Sequence, residues 1–263
     1  MTGAQKHKYF CEKLLEFLAP YGYFSRHGAL WKYSPQGQYV VKVELDTTRW
    51  GDLNDISIQF SSFFQPIKAY CRGRRTEIGL SISLELDLYL RAALHQPHKS
   101  PDHFSPFEEQ LNLFLPDFVT HFFPRLQIDD SLADYLRNAE QLIEMDAAMY
   151  HDYPLYIGIP EYAYAYLYLN CPKDAERVLN HYVEQCPNRL RFLEDYRQQI
   201  IKKEGYDPGE EVFGWTPRCT AARDEAQQLC DMIRAGNWEN LLPDIEQKRQ
   251  FSAAVCQSFF HAK

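Results

Sequence analysis

Several signatures of chemistry are missing from this chain. It has no glycine-rich phosphate loop, no Gly-x-Ser-x-Gly elbow and no His-Glu-x-x-His. Those absences exclude the local motifs of P-loop nucleotide enzymes, α/β-hydrolases and zinc peptidases. There is no Cys-x-x-Cys pair either. The seven cysteines (Cys11, Cys71, Cys171, Cys186, Cys219, Cys230 and Cys256) are odd in number and scattered. That argues against a disulfide framework or a zinc knuckle, and predicts reduced, mostly buried thiols. Serine, histidine and aspartate occur freely, but no signature joins them. No catalytic residue, metal ligand or cofactor is assigned.

Long apolar runs are missing too. None approaches the roughly 18 residues of a membrane span. The opening stretch, MTGAQKHKYFCEKLLEFL, carries charge throughout and lacks the apolar core and small-residue cleavage site of a signal peptide. The expectation is a cytoplasmic protein with no membrane partner. Negative charge is in excess in one half only. Residues 1–125 hold 14 Lys and Arg against 13 Asp and Glu, a net of +1, while residues 126–263 hold 14 against 23, a net of −9. An acidic half repels phosphates, which disfavours a nucleic-acid partner and favours a basic protein.

What is present is a chain of 263 residues, 45% hydrophobic and 15% aromatic. That is globular composition, long enough for one large domain or two modest ones. Residues 4–18 read as a helix, with Phe10, Leu14, Phe17 and Leu18 at helical spacing and Pro20 and Gly22 ending it. The period then changes to two. ALWKY (29–33) and QYVVKVEL (38–45) are two strand candidates, and QYVVKVEL, DISIQFSSF (55–63) and EIGLSISLEL (77–86) alternate along their length. Such alternation predicts an antiparallel sheet with one wet face. SPQG is a turn, and CRGRRT is read as a hairpin tip before the last strand.

DLYLRAAL (87–94) fits strand or helix, and residues 95–106 read as a loop. Ser105 and Pro106 are expected as N-cap and first residue of a helix over 106–122, kinked or split by Pro116 and ended by Pro124. From residue 129 the pattern is helical. Asp130 and Ser131 cap one helix, Pro172 and Pro187 each open another, and further helices are expected at 220–235 and 243–260. The stretch 205–219 is the longest irregular one. The predicted fold is therefore α+β: an N-terminal helix and antiparallel β-meander over 1–125, then an all-helical half over 126–263.

IPEYAYAYLYLN (159–170) has tyrosine at every second position, the strand period. At helical spacing Tyr162, Tyr166 and Leu169 share one side and Ala163, Ala165 and Leu167 fill others. Pro160 and Glu161 open it like a helix. A helix apolar nearly all round is expected, central in a bundle.

Residues 160–187 resemble one tetratricopeptide-type repeat. Ala163, Tyr166, Ala175, Leu179 and Pro187 fall at that family's spacings, whereas Tyr182 stands where it usually has Ala and the NCPKD turn differs. No second copy follows at a 34-residue offset. The resemblance implies an αα-hairpin in a helical domain rather than a peptide-binding solenoid. The first half, with Gly22, Trp31 and Trp50-Gly51 in a helix-plus-meander layout, resembles bacterial proteins of which some act as immunity proteins of toxin systems.

The densest polar cluster is ELDTTRWGDLND, with Glu44, Asp46, Arg49, Asp52 and Asp55 around Trp50. Grouped carboxylates can bind a basic protein, hold a divalent cation or divide acid and base roles. A nuclease site would want Glu-x-Lys, and this chain has Lys42-Val43-Glu44, the reverse order. His95, His98, Asp102 and His103 are read as a solvated loop, and Arg72, Arg74 and Arg75 as a charged turn. The expected function is a non-enzymatic protein-binding module, of immunity type, neutralising a basic toxin. Its candidate binding residues are Glu44, Asp46, Trp50, Asp52, Asp55, Tyr162 and Tyr166. A metal-assisted hydrolase built on the 44–55 carboxylates and a helical adaptor or scaffold remain the alternatives.

Overall fold

The computed structural model describes residues 1–47, 54–64, 67–72, 75–80, 82–87, 106–149, 159–207, 209 and 215–261. Helix α1 (Gly3–Leu18) starts on a reciprocal cap. Thr2 Oγ1 accepts from the Gln5 amide at 3.3 Å, and Gln5 Oε1 accepts from the Thr2 amide at 2.7 Å. The helix buries Phe10, Cys11, Leu14 and Leu18. A 3₁₀ turn (Ala19–Tyr21) carries Pro20, and Gly22 at φ 83° completes the stop.

The expected meander forms a five-stranded antiparallel sheet in the order β1-β2-β3-β4-β7, with β1 Phe24–Arg26, β2 Ala29–Ser34, β3 Tyr39–Thr47, β4 Asn54–Ser62 and β7 Ile82–Asp87. The short β1 was not anticipated. Its link to β2 is a two-residue turn, His27 at φ 54° and Gly28 at φ 81°, the left-handed pair that suits a tight hairpin. In the SPQG turn, Ser34 Oγ accepts from the Gly37 amide at 2.9 Å. A Cβ on Gly37 would sit 2.5 Å from the Tyr39 ring, so the turn needs glycine there.

One alternating run proves to be two strands. β6 (Arg75–Gly79) pairs with β5 (Lys68–Arg72) in a separate two-stranded sheet, while β7 joins β4 in the main one. Alternation stays in phase across the break, so periodicity could not show it. The wet face is also a correction. Val41, Val43, Leu45, Ile56, Ile58 and Phe60 pack on one side as expected, but Lys42, Ser57 and Ser61 on the other are buried as well. The chain's own end supplies part of that cover: Cys256 and Phe259 pack with Ala29, Trp31 and Val40.

Helix α2 (Phe107–Asp117) begins just after Pro106, while Ser105, the expected cap, lies outside the described residues. The α-helical stretch stops one residue past Pro116, in line with a split there. Beyond it comes a wider π turn (Phe118–Phe122), and Thr120 Oγ1 donates to the Pro116 carbonyl at 2.8 Å. Pro124, expected as a stop, sits in the first turn of a short α3 (Phe123–Leu126), where a missing N–H costs nothing. Helix α4 (Leu132–Met149) is capped as expected, Ser131 Oγ accepting from the Asp134 amide at 3.3 Å.

The 126–130 connection is held by buried donors from near and within the sheet. Tyr23 Oη donates to the Leu126 carbonyl at 3.1 Å and Tyr39 Oη to the Asp129 carbonyl at 2.8 Å. Lys32 Nζ donates to the carbonyls of Tyr21, at 2.8 Å, and Ile128. Tyr135 stacks on Tyr39 at 4.8 Å. Burial lowers the Lys32 pKa, and the charges of Asp130 and Asp129 oppose that shift.

The tyrosine run is helix α5 (Ile159–Tyr168), as helical spacing required. Asn170 at φ 58° turns the chain into α6 (Pro172–Glu204). α6 runs unbroken through Pro187, which was expected to open a new helix. Proline removes one hydrogen bond and can kink a helix, but flanking contacts can carry it through. Here the flanks pack against α7 (Trp215–Arg234): Tyr182 and Cys186 both reach the Cys219 carbonyl, and Arg234 binds Glu176 and Asn180. The last helix is α8 (Leu242–His261).

Two compact units result. One comprises Met1–Phe63, Ile67–Leu142 and Ala253–Lys263, the other Phe64–Pro66 and Ile143–Ser252. This division differs from a cut at residue 125. The first half of α4 and the last turns of α8 belong with the sheet.

Candidate functional site

The β3–β4 hairpin positions the carboxylate cluster. Register pairs Asp46 with Asp55, and Asp55 with Asp87 of β7. Three aspartates thus occupy one row across three neighbouring strands. One step further in, Glu44 is opposite Ser57 and Ser57 opposite Glu85. The expected cluster therefore gains Glu85 and Asp87, which sequence reasoning missed. Glu85 was a polar position of the 77–86 run and Asp87 follows it directly, but register alone could place them opposite Ser57 and Asp55. Trp50 and Asp52 lie outside the described residues, as does the 95–103 histidine loop.

Next to this row runs a ladder of polar side chains. Lys42 Nζ pairs with Glu44 Oε2 at 2.6 Å and stands 5.3 Å from the Trp31 ring centroid. Gln59 Nε2 donates to Glu44 Oε1 at 3.0 Å and to Ser57 Oγ at 3.1 Å. Lys42 is 5% exposed and Ser57 3%, so this network is satisfied from within. Lys42 is thus buried between a carboxylate and an aromatic face, whereas the nuclease alternative wants a lysine that faces a phosphate. Among the described residues no group of three or more His, Cys, Asp or Glu is placed to hold a metal ion.

The second set of expected residues lies in α5. Tyr162 is 3% exposed and belongs to the core with Ala163 and Ala165, while Tyr166 is half-buried with the Arg177 guanidinium 6.0 Å from its ring. Tyr164 Oη donates to Glu225 Oε1 at 2.9 Å, and Lys248 Nζ lies 4.2 Å from its ring. Only Tyr168 of the four is exposed, and it packs on Phe64 at 4.8 Å. The arginine turn is a β5–β6 hairpin end, with Arg72 opposite Arg75.

Elsewhere the cysteines are free, and burial pushes the Cys256 thiol up to about 12. No described helix is long and apolar enough to cross a membrane. No protein-family model matches the chain, and comparison with curated proteins and with solved structures finds no match.

Proposed function

We propose that the chain is a non-enzymatic protein-binding module that neutralises a basic protein, as immunity proteins do for toxins. The observation that supports this reading is the Asp46–Asp55–Asp87 row. Like charges directly opposite on neighbouring strands destabilise a sheet. A cationic ligand would relieve that cost on binding. Charge points the same way: residues 143–252 together with 64–66 hold 12 Lys and Arg against 19 Asp and Glu, a net of −7. Complementary charge raises association rates and orients a basic partner.

The carboxylates of the 44–55 stretch carry one other reading, a divalent-metal site serving a hydrolase. One pair of experiments separates them. Co-expression with a toxic basic protein encoded beside this chain is expected to restore growth. The combined Asp46→Asn, Asp55→Asn and Asp87→Asn variant is expected to lose both rescue and binding. Rescue that survives in that variant overturns the proposal. Calorimetric titration with magnesium or manganese, giving binding that vanishes in the same variant, moves the assignment to the hydrolase.

A further inference from the structure

The end of the chain is built into the same sheet face. Ala253–Lys263 belongs to the first unit although the 143–252 segment before it belongs to the second. Cys256 and Phe259 share one buried cluster with Ala29, Trp31, Val40 and Ile78. The Trp31 ring lies 5.4 Å from Phe259 and 5.5 Å from Phe260. Tyr33 stacks on Phe260 at 4.6 Å. Arg26 donates to the Phe260 carbonyl at 2.9 Å and stands 5.0 Å from the Phe259 ring. Lys42 also lies against the Trp31 ring, and Lys42 holds Glu44. A continuous set of contacts thus runs from the chain's last turns to the polar ladder.

We propose that these last turns of α8 are a strap: Ala253–His261 and strands β2 and β3 open and close as one cooperative unit, so that the chain end governs the Lys42–Glu44 pair. The functional meaning rests on the sheet face being the binding site. The coupling itself does not. A terminal helix without such anchors frays independently of the core. Aromatic pairs and a buried thiol give this one a share in the sheet's own opening.

Hydrogen exchange on the full chain, with no partner present, tests it. Amides of 253–261, 29–34 and 39–45 are expected to exchange with one opening equilibrium. Phe259→Ala is expected to raise exchange in all three segments by about a hundredfold, and to leave 172–204 and 215–234 unchanged. If that variant does not fold, the wild-type pattern decides alone. Exchange of 253–261 about a hundredfold faster than β2 and β3 in the wild type overturns the strap. So does an acceleration in Phe259→Ala confined to 253–261. A strap that exchanges as expected in a chain that binds no basic protein overturns the functional reading and leaves the coupling standing.

Discussion

The two units differ in where many of their polar groups are held. The sheet unit takes them inside. Lys32, Lys42, Tyr23 and Tyr39 are buried donors, each aimed at a carbonyl or carboxylate. The helical unit has a buried donor too, Tyr182 on the Cys219 carbonyl, but adds short-range ion pairs along its helices: Arg177–Asp174, Arg197–Glu194, Lys248–Asp244 and Arg249–Glu246 all lie three or four residues apart. A buried donor that loses its role strands its acceptor, whereas an exposed pair returns to water. The sheet unit should therefore be intolerant where the helical unit is forgiving.

The sharpest way to break that contrast is Lys32→Ala. It leaves the Tyr21 and Ile128 carbonyls without their ammonium donor, and a loss of about 3 kcal/mol in urea unfolding is expected. A change below about 1 kcal/mol would remove the distinction between the units. Tyr39→Phe keeps the ring on Tyr135 but deletes the donor to Asp129, with an expected cost of about 1–2 kcal/mol on the same measurement. A neutral result would show that water replaces the hydroxyl.

Acid sharpens the comparison from the other side. Arg249 and Gln250 hold the Glu246 carboxyl down at about 2, against an ordinary 4.5. Arg197 and the Gly209 amide hold Asp207 at about 2, against 3.8. A depressed carboxyl contributes stability above its ordinary value and loses it as pH falls towards the folded value. The melting temperature is expected to fall between about pH 4.5 and 2, and less steeply in Glu246→Gln. An identical acid slope in that variant would discard the pair as a contributor. The smallest effect is expected for Arg234→Ala, which breaks the exposed contact to Glu176. The urea midpoint should barely move, and a large shift would place that pair with the buried class.

Much of this was legible in the residues. The stop at Pro20 and Gly22 is local, and so is the spacing of Phe10, Leu14 and Leu18. Alternation from Tyr39 to Leu45 and from Ile56 to Phe60 announced strands, because period two is a property of one strand alone. The tyrosine run was recoverable once helical spacing was weighed against alternation. Pro187 misled because a proline's local penalty says nothing about the contacts that outweigh it. The 77–86 run misled because both of its strands keep the same phase.

The site was legible only in part. Glu44, Asp46 and Asp55 stood out as a dense carboxylate stretch. Glu85 and Asp87 did not, since their neighbours on β4 come from a pairing about thirty residues distant along the chain. Nor could any local pattern show that Phe259 and Phe260 would lie on Trp31.

Period, caps and turn residues act over a few residues, so the sequence by itself determined most of the helix and strand segments and that the fold is α+β. Register, the covered second face and the return of the chain end to the sheet are long-range choices. They depend on which apolar surfaces find one another and on which buried donors find acceptors, and the tertiary structure alone decided them.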